Sequence, residues 1–188
     1  MTDNTTPRVL PVDRPNEEQA ELLGKTLLTL DGKPLNLFST MAHNPRLLRR
    51  FNALGGYFLR HGGLPGRDRE LVILRVATRT GCEYEWAQHQ VIGVAEGLSA
   101  DEVERVRGPV GAWSGDEHEL LRFVDEVFDS EGNEVPSWDD LATRYDDQQL
   151  MELVLLVGFY RMLAGFLNAV RVDIDSEAPS TGSTAAAG

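Results

Sequence analysis

Three side chains that can carry protons or act as nucleophiles are spaced to share one face of a predicted helix. Cys82, Glu85 and His89 stand at positions i, i+3 and i+7. At about 100° per residue, these positions lie within about 60° of one another around the helix axis. A thiol, a carboxylate and an imidazole on one face can hold, donate or accept a proton beside a bound molecule.

A fourth ionisable group, Glu70, stands on the preceding predicted helix. Ile73, Leu74 and Ala77 follow it at i+3, i+4 and i+7, so its carboxylate lies on an apolar stripe. Such a carboxylate is either paired or active in proton transfer, because a lone buried charge is costly. Each group alone has a structural explanation, such as a hydrogen-bonded core histidine. Four proton-handling groups on two adjacent helices favour a site, and we expect Glu70 and His89 to meet in one pocket.

The same four positions carry a family resemblance. The spacing Glu70-x11-Cys82-x2-Glu85-x3-His89 resembles the E-x11-C-x2-C-x3-H pattern of the alkylhydroperoxidase D proteins. The surrounding segment, LPGRDRELVILRVATRTGCEYEWAQHQVIGVAEGLSADEV, is similar to the wider carboxymuconolactone decarboxylase family, and so is LVGFYRMLAGFLNAV near the end of the chain. The resemblance implies an all-α subunit with the alkylhydroperoxidase D-like fold, in a homo-oligomer that is commonly a trimer or hexamer.

The chain departs from the peroxidase pattern at one position. In the peroxidase branch, two cysteines form a redox pair while the glutamate and the histidine relay protons; here Glu85 stands at the second cysteine position. Cys82 is the single cysteine, so neither a disulfide within the chain nor a dithiol cycle can form. The decarboxylase branch uses acid–base groups without a cofactor, and the substitution favours that chemistry.

Three functions remain open at this stage. The first is a cofactor-independent lyase, decarboxylase or isomerase on a small carboxylated or lactone substrate, with His89 as proton donor and Glu70 or Glu85 as its partner. The second is a one-cysteine peroxidase or redox protein, in which Cys82 is oxidised and an outside thiol reduces it. The third is a non-catalytic oligomeric binding protein. The helix start at Cys82 predicts a lowered pKa for its thiol, although we first assign Cys82 a role in lining the pocket.

Three further residues are candidates for substrate binding. Tyr84 and Trp86 flank the motif and can line a pocket, although aromatic residues in such positions also serve as core or subunit contacts. Arg161, inside the apolar final helix, can hold a substrate carboxylate or form a buried ion pair. Glu85 and His89 are too few ligands for a metal, and we expect neither a metal nor another cofactor.

The elements that position these residues are predicted to be helices, with almost no strand alternation. We expect one domain of seven or eight helices joined by short connections, including helices at about 16–29, 137–145 and 147–171. The final helix is so apolar that it needs cover on several sides, in part from another subunit. Residues 1–15 are predicted to form a flexible arm, 16–174 the helical domain, and 175–188 a disordered tail.

Charge and composition narrow the class of partner. The 188 residues carry a net charge of −12, which argues against binding to nucleic acid or to an anionic membrane. The chain begins without an apolar leader, and Glu152, Arg161 and Asn168 interrupt the apolar stretch 151–170. We therefore expect a cytoplasmic protein without a membrane span, whose partner is a small-molecule substrate.

Overall fold

The computed structural model describes residues 6–130 and 134–180. Within these ranges the all-α class is confirmed. The number of helices exceeds the seven or eight predicted, because three of them are short, with only four to six residues. The helix predicted at 137–145 covers only Trp138–Leu141. The described residues form a 3₁₀ turn at Val110–Ala112 and nine α-helices: α1 Glu17–Leu23, α2 Asn36–Met41, α3 Pro45–Arg60, α4 Gly66–Thr80, α5 Glu83–Ala95, α6 Ala100–Arg105, α7 Gly115–Asp129, α8 Trp138–Leu141 and α9 Asp147–Val170.

Helix α4 runs through the centre of the core, where it packs against α5, α7 and α9. Arg75 ties α4 to α7 by pairing with both carboxylate oxygens of Asp125, with Nε–Oδ1 and Nη2–Oδ2 distances of 2.8 and 2.6 Å. A helix covered on all sides needs apolar residues around its whole circumference. Five of its apolar side chains have no solvent exposure: Leu71, Val72, Ile73, Leu74 and Val76.

A tight turn joins α4 to α5. Gly81 ends α4 in the left-handed backbone region (φ 59°), where an L side chain is strained. Cys82 follows as the N-cap of α5, and its N–H donates to the carbonyl of Ala77 at 2.9 Å. The turn lays α5 alongside α4, which brings the His89 face of α5 against the part of α4 that carries Glu70.

Helix α9 is the longest helix and contributes to the core. A capping box of Asp146 and Gln149 begins it, and it packs against α4, α7 and α3. Among the described residues it is the one helix long and apolar enough to cross a membrane, a property that core helices share. Its outward face carries three large apolar side chains that are more than half exposed: Met151, Leu155 and Met162.

Helix α1 ends at Leu23, whereas the sequence predicted an end near residue 29. The residues that follow form a turn in which the N–H of Thr29 donates to the carbonyl of Lys33 at 2.8 Å and Gly32 adopts a φ of 81°. The Asp31-Gly32 pair favours such a turn, because glycine accepts positive φ without strain. The turn brings Thr29 to an isolated bridge with Pro179.

Both described chain ends pack against the helical body. In the predicted flexible arm, the N–H of Arg8 donates to the carbonyl of Val170 at 2.8 Å. At the other end, residues 172–180 form what we call the C-terminal segment. The tail predicted at 175–188 begins within this segment, where Asp175 accepts hydrogen bonds from the N–H of Asn36 and from two side chains of α5. Residues 1–5 and 181–188 lie outside the described part of the chain.

Candidate active site

Glu70 of α4 and His89 of α5 form a buried hydrogen-bonded pair. The Oε2 atom of Glu70 lies 2.7 Å from Nδ1 of His89, and the two residues are 0% and 7% exposed. The pair therefore lies where the apolar stripe under Glu70 and the one-face spacing of α5 predicted it. A histidine whose Nδ1–H donates to a carboxylate keeps Nε2 as its basic ring nitrogen.

A buried arginine holds Glu70 from the other side. Arg69 Nε lies 2.8 Å from Glu70 Oε1, and Arg69 Nη2 lies 3.0 Å from Oε1 of Glu96. Both oxygens of Glu70 therefore accept hydrogen bonds, one from a guanidinium that stays protonated. Burial alone would lower the pKa of Arg69, but the two carboxylates outweigh burial and raise it. This arrangement makes Glu70 a fixed acceptor that orients the His89 ring.

Glu85 is buried without a partner. Glu85 is only 2% exposed, and neither oxygen of its carboxyl group has a hydrogen-bond partner within the described residues. Burial raises the pKa of Glu85 well above its usual value of 4.5. A carboxyl group in this environment is held in its neutral, protonated form, in which it can donate a hydrogen bond.

A cavity of about 60 Å³ lies against α5, with His89 and Glu85 in its wall. A single water needs about 10–15 Å³ of such space, so the cavity has room for a small molecule. The rings of His89 and Tyr160 meet edge-on with centroids 5.1 Å apart, and burial raises the pKa of Tyr160 well above its usual value. The other walls are mainly apolar and include Leu35, Leu37, Phe38, Phe51, Ile92, Phe159 and Leu163.

Cys82 lies close to the site in sequence but not in the cavity wall that the described residues form. The residue is 1% exposed. Burial is the main cause that raises the pKa of the Cys82 thiol to about 12. The lowered pKa predicted from the helix start is therefore wrong, because loss of solvent outweighs the backbone N–H groups that the helix start offers.

The three predicted substrate-binding residues fall in different places. Tyr84 lines the cavity. In the part of the chain that the structure describes, Trp86 and Arg161 lie outside the cavity wall. The Trp86 ring lies under the guanidinium of Arg107, 3.8 Å from its centroid. Arg161 donates to the carbonyl of Phe128 at 2.6 Å and covers the same residue's ring.

Sequence reasoning missed three polar residues of the cavity wall: Asn52, Arg60 and Gln88. Gln88 stands three residues after Glu85 on the same helix face, and this spacing was a usable signal. The side chain of Arg60, at the end of α3, forms no hydrogen bond or ion pair with any described residue. Its guanidinium lies over Gly56, where a Cβ atom would collide with it, so the absent side chain at Gly56 makes room for the cation. No sequence signal pairs α3 with this site.

The fold and the buried Glu70–His89 pair define the class: an all-α protein with the alkylhydroperoxidase D-like fold. The chain is similar to a peroxidase-related protein from Silicibacter sp. TM1040, with 17% identity, a TM-score of 0.76, and 94% of this chain and 96% of that chain covered. It is similar to an alkylhydroperoxidase AhpD core protein from Ralstonia eutropha JMP134, with 20% identity, a TM-score of 0.70, and coverage of 89% and 93%.

A third structural relative is the debrominase Bmp8. Its cysteine-to-alanine variant in complex with 2,3,4-tribromopyrrole shares 16% identity and a TM-score of 0.72, with 93% of this chain and 95% of that chain covered. At such identities these similarities establish the fold. Residues 45–126, which include Glu70 and the whole Cys82–His89 face, match the carboxymuconolactone decarboxylase family, so the resemblance stated from the sequence is confirmed. No curated protein matches the chain.

Proposed function

We propose that the chain is a cofactor-independent acid–base enzyme, a lyase, decarboxylase or isomerase, that acts on a small carboxylated or lactone substrate. The observation that carries the proposal is His89, held from behind by the buried Glu70, beside Glu85 in one cavity wall; the Glu85 carboxyl group has no hydrogen-bond partner among the described residues. This arrangement supplies a fixed basic nitrogen and a neutral carboxylic acid at the same place. Carboxyl groups in contrasting environments separate the roles of acid and orienting base partner.

In a decarboxylation, the bond between the substrate carboxylate and its neighbouring carbon breaks, and carbon dioxide leaves. The electron pair of that bond passes to an adjacent carbonyl and forms an enolate. The Glu85 O–H donates a hydrogen bond to the enolate oxygen. His89, protonated at Nε2, then gives its proton to the carbon that lost carbon dioxide, and solvent restores that proton.

In an isomerisation, the Nε2 atom of His89 first removes a proton from one substrate carbon and then returns it to another. In both reactions Glu70 keeps the ring in one orientation and stabilises the imidazolium through Nδ1. Arg60, whose guanidinium has no partner among the described residues, binds a carboxylate that the product retains.

We also propose that the enzyme is a cytoplasmic homo-oligomer, a trimer or a hexamer.

The state of Cys82 supports acid–base chemistry over the thiol chemistry of a one-cysteine peroxidase. Thiol oxidation starts from the thiolate, and a buried thiol with a pKa of about 12 yields very little of it at neutral pH. Peroxidase relatives share the fold. In this chain, however, Glu85 lines the cavity that the described residues form, whereas Cys82 does not.

The proposal is tested with a panel of small β-keto acids and carboxylated lactones, in which both carbon dioxide release and isomerisation are followed. The wild-type protein should turn over at least one of them, and His89→Gln should lower that rate by about 10²–10⁴-fold, because glutamine cannot transfer a proton. The matched control is His118→Gln, since His118 Nδ1 contacts the carbonyl of Val110 away from the cavity. Equal rates in wild type and His89→Gln, or no turnover of the panel, would overturn the proposal.

A further inference from the structure

The amide of Gln88 leaves one buried polar atom without a partner in the cavity wall. Gln88 is 5% exposed and lines the cavity with Glu85 and His89. Its Nε2 atom donates to Oδ2 of Asp175 at 3.1 Å, but its Oε1 atom meets no donor among residues 6–130 and 134–180. Buried carbonyl oxygens are nearly always hydrogen-bonded in native proteins, so an unpaired one in a cavity wall indicates an acceptor for a bound molecule.

A chain of hydrogen bonds fixes which atom of the Gln88 amide is paired and which is left for a bound molecule. The N–H of Leu37 donates to the phenol oxygen of Tyr84 at 3.1 Å, and the Tyr84 O–H donates to Asp175 Oδ2 at 2.5 Å. Because Asp175 Oδ2 accepts, it pairs with the amide nitrogen of Gln88. Rotation of the amide would set two acceptors against each other, so Nε2 stays paired with Asp175 and Oε1 stays the unpaired atom.

We propose that Gln88 Oε1 accepts a hydrogen bond from a hydroxyl or N–H group of the substrate, so that the cavity selects small carboxylated or lactone molecules that also carry such a donor. The proposal deepens the proposed function and rests on it, in that the molecule bound here is the substrate of His89. A molecule with only acceptor atoms leaves Oε1 unpaired. Sites built to pair with a substrate donor reject analogues that lack it. Tyr84 and Asp175 are positioning residues, because they act through the Gln88 amide.

Two ring compounds of equal heavy-atom count test the selection by titration followed in NMR spectra: cyclopentanol, which carries a donor, and cyclopentanone, which does not. Wild-type protein should prefer the alcohol, and Gln88→Met should weaken alcohol binding by about tenfold, the loss of one buried hydrogen bond. Ketone binding should change little, because methionine keeps the side-chain length. The control is Gln90→Met, on the exposed side of the same helix.

The positioning role of Asp175 has a distinct readout. Asp175→Asn places an amide where the carboxylate accepted three donors, so Gln88 is free to turn its nitrogen toward the cavity. The preference for alcohol over ketone should then shrink while the helical circular dichroism is retained. A purely structural role would weaken both probes equally and leave the preference unchanged.

The outcomes separate this inference from the proposed function. Binding of the alcohol does not require turnover, and His89→Gln should retain the alcohol preference while it loses activity. If alcohol binding depends on Gln88 but His89→Gln is fully active, the recognition proposal stands and the acid–base proposal fails. Equal loss of both probes in Gln88→Met, an unchanged alcohol affinity, or no alcohol binding to wild type would overturn the recognition proposal.

Discussion

His89 Nδ1 lies 2.7 Å from Glu70 Oε2, although the two residues are 19 positions apart and belong to different helices. The same carboxylate takes a second hydrogen bond from Arg69, so the imidazole is held by an acceptor that is itself fixed. A group locked in this way reaches its working geometry before a substrate arrives, which lowers the cost of reaching the transition state.

Glu70→Gln is expected to reduce turnover by at least about tenfold and to destabilise the fold by about 1–3 kcal/mol. A glutamine has one oxygen for two donors, so either Arg69 or His89 faces an N–H₂ group and stays unpaired. Steady-state kinetics and urea unfolding measure the two effects. The control Glu96→Gln removes the more exposed partner of Arg69 and should cost much less. Equal effects of both substitutions would contradict the role of Glu70 as the acceptor that orients the His89 ring.

The thiol of Cys82 is expected to be unreactive in the folded protein. A pKa of about 12, against a usual 9.0, lowers the thiolate fraction at neutral pH by about a thousandfold. Alkylation by iodoacetamide should therefore be slow in the native protein and fast in urea. Cys82→Ala should retain most acid–base activity. Rapid alkylation of the native protein, or hydroperoxide turnover that Cys82→Ala abolishes, would favour the thiol chemistry instead.

Glu85→Gln is expected to stabilise the protein increasingly as pH rises. In the unfolded chain the carboxyl group ionises above about pH 4.5, whereas burial raises its pKa in the folded state and keeps it protonated. Unfolding thus releases a proton, and the free energy of unfolding falls by up to about 1.4 kcal/mol per pH unit until the folded-state pKa is passed. Glutamine does not titrate, so this loss is absent in the variant.

Urea unfolding of wild type and Glu85→Gln between about pH 5 and 7.5 measures this difference. Glu83→Gln is the matched control, because Glu83 lies on the exposed side of the same helix and pairs there with Arg107. A difference that stays constant with pH would show that Glu85 is ionised in the folded protein.

The outward face of α9 is expected to lie in a subunit interface. Leu155 is 61% exposed there, between the similarly exposed Met151 and Met162. Light scattering should give a particle well above 20.8 kDa, and Leu155→Glu should shift it toward the monomer, because a charge cannot be buried without a partner. Val94→Glu places the same charge on an exposed apolar position of α5 and should leave the assembly intact. A wild-type particle of 20.8 kDa would contradict the interface.

Local signals in the sequence account for several helix ends and for the central pair of the site. Asn44 caps α3 with its side chain, Ser99 and Glu102 form a capping box, and Gly81 ends α4; these residue types are typical of such positions. The Glu70–His89 pairing also followed from short-range information, since the two helices are consecutive and joined by a tight turn.

The remaining parts of the site depend on contacts between distant segments. Asp175 and Tyr84 are hydrogen-bonded although they are 91 positions apart in the sequence, and no pattern within either segment predicts that contact. Arg161 stands on a helix that is apolar nearly all round, so periodicity could not tell which side faces the cavity. Burial likewise decided the state of Cys82, against what its position at a helix start suggested.

The C-terminal segment, residues 172–180, gives the site a component that can open independently. The segment has no helix of its own, and hydrogen bonds such as Asn36 N–H to Asp175 and Leu30 N–H to Ala178, at 2.8 and 3.0 Å, hold it to the body. Releasing it costs only part of the global unfolding free energy, so its amides should exchange with solvent faster than those of α4. In the opened molecules the Gln88 amide turns freely. The apparent affinity for a donor-bearing ligand is therefore scaled by the fraction of molecules whose chain end is docked.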